Sequence, residues 1–188
     1  MARSTAHRAR PPLDSAKLDE LALAYVGRFA TTRAKLRAYL ARKLRERGWQ
    51  GEREPDLEAI AERLAAYGYI DDAGYALMKS RALSGRGYGK RRLLTALRVA
   101  GVGDEDGADA RDHADAEAVA AALRFAERRR IGPFGLRKID DPRDREKALA
   151  AMVRAGHSFA LARAIVELGP GDAVDAAELA ERAGLTVS

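Results

Sequence analysis

The sequence predicts an all-α protein, and three observations lead there. Alanine, arginine and leucine dominate a chain of 188 residues, and all three favour helix. Apolar residues return at three- and four-residue intervals through most of the chain, the spacing that lines one face of a helix. One pattern, an apolar-faced helix closed by glycine, recurs at Gly48, Gly101 and Gly156. Aligning Gly48-Trp49 with Gly101-Val102 superposes Leu40 on Leu93 and Leu44 on Leu97. Gly156-His157 takes the same place after Leu149, Met152 and Val153. These positions predict three tandem three-helix (helix-turn-helix-like) repeats over residues 14–70, 71–113 and 114–170. Each is too small for much stability alone and gains core from its neighbours.

Taken in order, residues 1–13 read as a disordered basic tail closed by Pro11-Pro12. Asp14 or Ser15 suits the cap of a first helix with Leu18, Leu21, Ala22, Tyr25 and Phe29 inside. Thr31 or Thr32 begins a second, with Leu36, Leu40 and Leu44 inside and Arg33, Arg37, Arg42 and Arg45 around the rest. Gly48 ends it, and Trp49 is expected to pack back on the helices. Pro55 opens a third helix carrying Leu57, Ile60, Ala61 and Leu64.

The middle repeat starts after Tyr67-Gly68-Tyr69-Ile70-Asp71-Asp72. Either aspartate can cap the next helix, on which Tyr75, Met78 and Ala82 form an apolar stripe. Gly85, Gly87 and Gly89 interrupt helix, so the chain turns there. A basic helix follows with Leu93, Leu97 and Ala100 on one face. Arg91 and Arg98, with Thr95 beside them, fall on the other, and Gly101 suits a left-handed C′ position. Residues 103–112 are acidic and poor in large apolar side chains, which predicts a short or frayed helix. The third repeat has Val119, Ala122, Leu123 and Ala126 inside. It loops through Ile131-Gly132-Pro133-Phe134-Gly135, re-enters helix after Asp141-Pro142, and finishes with Phe159, Ala162 and Val166. Residues 171–188 form a C-terminal tail with one short helix through Leu179.

The middle repeat resembles the centre of the RecX family, regulators of the RecA recombinase filament. The family pattern is G-Y-[IL]-D-D, fourteen residues, G-Y-G, then a basic helix ending L-x-x-x-G-[IV]. Here these are Gly68 to Asp72, Gly87 to Gly89, and Leu97 to Val102. Arg154-Ala155-Gly156-His157-Ser158 is similar to the family's R-x-G-F-S. Departures are Gly74-Tyr75, Ala82-Leu83 where Ser-Arg is frequent, Lys35 where a Glu would complete a capping box, and His157 in an aromatic's place. The resemblance implies three tandem repeats in a curved, elongated body. It also implies binding along the groove of the RecA–DNA filament, restraining recombinase activity without catalysis, in DNA recombination, DNA repair and the SOS response.

Composition is compatible with that reading. Net charge is +6 with an isoelectric point near 9.8, which suits a polyanionic partner. The charge is also unevenly placed. Residues 28–47 carry eight basic side chains and one acid, residues 71–102 seven and two, and residues 103–117 seven acids against Arg111. The chain has no cysteine, which excludes disulfides and thiolate metal sites and suits a reducing compartment, so a cytoplasmic protein is expected. No apolar run approaches the ~18 residues of a membrane span, and no secretory signal is expected, because no hydrophobic region follows the basic start.

Other chemistry finds little support. Asp71 and Asp72 point about 100° apart on a helix, and capping accounts for both. His7, His113 and His157 share no ligand spacing, and His157 reads as a packing residue. Gly85-Arg86-Gly87-Tyr88-Gly89 lacks the strand and the Lys-Ser/Thr pair of a phosphate loop, and reads as a hinge. No catalytic residue, metal or cofactor is expected. The candidate filament- or DNA-binding residues are Lys79, Arg81, Arg86, Tyr88, Lys90, Arg91, Arg92 and Arg98, with Arg33 and Arg37 in the first repeat. Expected partners are the RecA filament and single- or double-stranded DNA, engaged by a monomer and with no membrane. The alternative function is a helix-turn-helix transcription regulator. The absence of any Asn, and a lone Gln50 in a loop, leaves such a reader without the usual adenine contacts.

Overall fold

In the computed structural model, residues 11–185 are described. Among them are ten α-helices, one 3-10 turn and no strand, so the all-α expectation holds. The chain separates into two compact units, Met1–Asp72 and Ala73–Ser188.

The first unit packs α1 (Ser15–Val26), α2 (Arg33–Arg47) and α3 (Leu57–Ala66). Each start is capped by its own side-chain oxygen: Asp14 accepts from Lys17 N at 2.8 Å, Thr32 from Lys35 N at 3.1 Å, and Asp56 from Ala59 N at 2.9 Å. Pro55 therefore precedes the cap of α3 and does not open the helix itself. Leu18, Leu36, Leu40, Ile60, Leu64 and Ile70 form the core, which Leu13 joins through a short bridge. Leu13 is buried, so it belongs to this unit and not to the expected disordered tail, of which residues 1–10 lie outside the described residues. Leu13 donates to Gly48 O at 3.0 Å and accepts from Gln50 N at 2.9 Å, placing Trp49 against the same core. Phe29, expected inside, is exposed. It lies beyond the last turn of α1, and its ring only tilts against Tyr25 at 5.5 Å.

The second unit contains α4 (Asp72–Gly85, from Ala73 on), α5 (Lys90–Ala100), α6 (Ala108–Ala116), α7 (Ala118–Arg129), α8 (Pro142–Ala155), α9 (Phe159–Val166) and α10 (Ala176–Arg182). Two cores serve it. The smaller gathers Ala76, Leu93, Leu97, Ala110 and Ala114; the larger centres on Phe125, Met152, Leu161 and Ile165 and also takes in Leu179 of α10.

The face α4 buries is only partly the expected one: Tyr75 is buried as predicted. Met78 and Ala82 are exposed, while Ala76, Ser80 and Ser84 are buried. Small side chains let neighbouring backbones approach, and the buried Ser80 hydroxyl is satisfied by donating to Ala110 O at 2.8 Å. That bond also anchors α6, which is short, at nine residues. Phe159 likewise lies outside, at the first turn of α9, whose inner side is Leu161, Ala162, Ile165 and Val166. Asp141, Ser158 and Asp175 cap α8, α9 and α10.

Candidate functional site

The candidate residues concentrate on the hairpin formed by α4, the turn at residues 86–89 and α5. Packing fixes how α5 is presented. Leu93, Leu97 and Ala100 are buried, so at roughly 100° per residue the opposite side must face water. Arg91, Arg98 and Thr95 are exposed there, and Thr95 Oγ1 donates back to Arg91 O at 3.0 Å. Neither arginine has an ion pair among the described residues. Gly101 ends the helix in the left-handed region, at φ 68°.

The turn is held too tightly to serve as a hinge. Gly89 donates its N–H to Ala155 O at 3.0 Å, and Arg91 N donates to Gly156 O at 3.1 Å. The first turn of α5 is thus sealed against the last turn of α8, free amides of one meeting free carbonyls of the other. A methyl group on Gly156, where φ is 102°, would lie 2.6 Å from Arg92 N, and one on Gly89 would lie 2.6 Å from His157 N. Both obstacles are backbone, so only glycine fits this seam.

His157 completes the seam from below. It is 2% exposed, and its Nε2 lies 3.1 Å from Gly87 O. A carbonyl only accepts, so Nε2 carries the hydrogen. Burial holds the imidazole pKa below its ordinary value, against a smaller upward effect of the Gly87 bond. The ring also meets Phe125 at 5.7 Å. His157 therefore packs and donates in place of an aromatic, as a neutral group.

The remaining candidates divide by what they touch. Lys79 and Arg81 lie along α4, half-buried and exposed respectively. Lys90 is paired with Asp115 at 2.5 Å. Arg92 sits over the half-buried Tyr88 ring at 5.4 Å. Arg33 is committed inside the first unit, bonding Asp72 at 3.2 Å and Glu62 at 3.4 Å, and Arg37 pairs with Glu58. The acidic segment is also partly spent internally: besides Asp115, Asp104 faces Arg111 at 3.6 Å and Glu117 pairs with Arg124.

Arg86 and Tyr88 are brought together with residues the sequence did not single out. They line a cleft of about 550 Å³ with Arg128 and Arg129 of α7 and Arg154 of α8. The run Arg128-Arg129-Arg130 was the available signal, but only the folded chain brings it near Arg86. Among the described residues no cluster of His, Cys, Asp or Glu could hold a metal ion, and no helix is long and apolar enough to cross a membrane.

No family model matches the chain. Individual proteins do. The regulatory protein RecX of Myxococcus xanthus is 33% identical over 162 residues, covering 81% of this chain and 86% of that protein. The regulatory protein RecX of Mycolicibacterium vanbaalenii is 33% identical over 166 residues, covering 81% and 84%. The crystal structure of RecX from Lactobacillus salivarius superposes with a TM-score of 0.57 at 21% identity, over 81% of this chain and 94% of that one. At that identity the superposition speaks for a shared all-α fold.

Proposed function

The chain belongs to the RecX family of regulatory proteins, and from that premise we propose that it binds the RecA–DNA filament and restrains its recombinase and ATPase activity without catalysing a reaction. The observation that carries this reading is the outer face of α5. Arg91 and Arg98 stand exposed one above the other, about 10 Å apart along the helix, and neither is neutralised by an acid among the described residues. Such a face suits an extended, regularly repeating anionic surface. The mechanism we favour is bridging. The basic face touches neighbouring RecA subunits or their DNA, and so caps the growing filament or blocks the groove needed for pairing.

The proposal includes three helix triads acting as repeats on a repeating partner. Positive φ at each of Gly48, Gly101 and Gly156, directly after α2, α5 and α8, supports that assignment. A monomer is the acting form, and a filament partner of this kind puts it in the cytoplasm.

The experiment is charge reversal, Arg91→Glu with Arg98→Glu, followed by RecA strand exchange and single-molecule filament length at fixed ATP and single-stranded DNA. Folding should survive, since surface changes usually fall within about 0.5 kcal/mol. Inhibition should drop sharply as attraction becomes repulsion. A double variant that folds and still restrains the filament like the parent would remove α5 from the interface. A parent protein that changes neither assembly, disassembly nor strand exchange at saturation would remove the filament reading.

A further inference from the structure

We propose that the cleft between the 86–89 turn, α7 and α8 is a binding site for single-stranded polynucleotide, with Arg86, Arg128, Arg129 and Arg154 on the phosphates and Tyr88 against a base. The cleft's volume of about 550 Å³ lies within the roughly 300–1,000 Å³ of ligand-holding clefts. Its walls come from three backbone segments, and the seam between α5 and α8 fixes one side.

The charge of the cleft exceeds what the fold requires. Arg128 and Arg129 are in the last turn of α7 and Arg154 is in the last turn of α8, where basic residues offset the helix dipole. Two helix C-termini supply only about one negative charge together. One of them is already met by α5, whose Gly89 and Arg91 amides bond the α8 carbonyls. Four guanidinium groups against that leave about three positive charges unanswered. Among the described residues none of the four has an acidic partner, whereas Lys90, Arg111, Arg124, Arg163 and Arg182 of the same unit all do.

Two of the guanidinium groups are also held in place. Arg128 donates to Arg86 O at 2.5 Å, and Arg128 and Arg129 lie over the Phe125 ring at 5.6 and 5.8 Å. Planar forks fixed on an aromatic face bind phosphate oxygens with little entropy left to lose. The aromatic wall selects between anions. An acidic peptide needs no ring beside its carboxylates, while an unpaired base can meet the part of the Tyr88 ring that lines the cleft, beside the Arg92 guanidinium that lies over it, and a duplex hides that base. The site gives a location for DNA contact in the filament reading but does not depend on it, so its test contains no RecA.

The full chain is titrated into fluorescein-labelled oligothymidine across a range of NaCl concentrations. Arg129→Gln with Arg154→Gln should weaken binding about tenfold or more and flatten the salt slope by about 1.4, two contacts at roughly 0.7 each. Arg137→Gln with Lys138→Gln removes the same charge from an exposed loop and should leave affinity within about twofold. Photocrosslinking of the unaltered protein to 5-iodouracil oligomers should place the adduct on Tyr88, a readout that needs no variant to fold. Equal weakening by both double variants, or adducts only elsewhere, would overturn the site. So would an oligoglutamate that binds more tightly than oligothymidine and is lost in R129Q/R154Q, because the cleft would then be a protein-docking surface.

Discussion

Asp72 caps a helix that begins thirty-nine residues before it: Oδ1 accepts the backbone N–H of Arg33 at 3.0 Å, and Oδ2 accepts from the Arg33 guanidinium at 3.2 Å. Arg33 is the first residue of α2, so its amide has no partner within the helix. The carboxylate is 4% exposed and the arginine 30%, which makes this pair more costly to break than a surface bridge.

Removing the carboxylate with Asp72→Ala should destabilise the first unit by about 1–3 kcal/mol, because a half-buried amide and part of a cation lose their acceptor. Asp72→Asn keeps the amide acceptor and should cost less. Urea denaturation of both variants gives the comparison. Equal stability of parent and Asp72→Ala would show that water replaces the carboxylate without loss.

At the seam of the second unit, Gly156→Ala combines an unfavourable φ of 102° with a methyl group 2.6 Å from Arg92 N. Strain and overpacking together should cost about 2–4 kcal/mol. Gly85 sits at the end of α4 with nothing within 4 Å of an added methyl group. Gly85→Ala should therefore be neutral or stabilising by about 0.4–1 kcal/mol. Opposite signs in thermal melts are the expected result.

Leu97 is 4% exposed in the smaller core, and Leu97→Ala should cost about 2–5 kcal/mol through the cavity it leaves. A loss below about 0.5 kcal/mol in denaturant melts would mean the site collapses around the missing atoms.

His157 gives a pH dependence with a defined sign. Its folded pKa is lowered by burial, so the unfolded chain takes up a proton more readily. The stability it contributes is complete above the unfolded value of about 6.5 and declines as pH falls below it, by at most about 1.4 kcal/mol per pH unit. Melts between pH 7.5 and 5.5 should show this decline in the parent. His157→Phe should be flatter, though weaker at pH 7.5 by about 1–3 kcal/mol because Gly87 O loses its donor.

What the sequence made legible, and what it hid, follows from the range of the interactions. Helix starts were readable because a cap is local: Asp14 and Thr32 bond amides three residues on. Asp71 and Asp72 read as caps of the helix that follows them, yet the Asp72 carboxylate bonds the first residue of α2, a target hidden because a bond across thirty-nine residues leaves no periodic trace. Beyond Tyr75, the buried face of α4 was misread because periodicity weights large apolar side chains, and this helix packs largely through Ala76, Ser80 and Ser84. Exposure of Arg91 and Arg98 followed directly from the positions of Leu93 and Leu97. The gathering of Arg86 with Arg128, Arg129 and Arg154 depends on the α5–α8 seam, whose glycines signal tight approach without naming what approaches.

That seam also sets an order of events during synthesis. The amides of Gly89 and Arg91 find their acceptors only at residues 155 and 156, so the basic helix is made long before its first turn is closed. Contacts so far apart in the chain form late and slowly. On the ribosome, the first unit holds every residue it needs once Asp72 has emerged. The hairpin bearing Arg91 and Arg98 waits, its leading amides bonded to water, until α8 has been translated. A nascent chain stalled between those points would display the basic side chains without the scaffold that aims them.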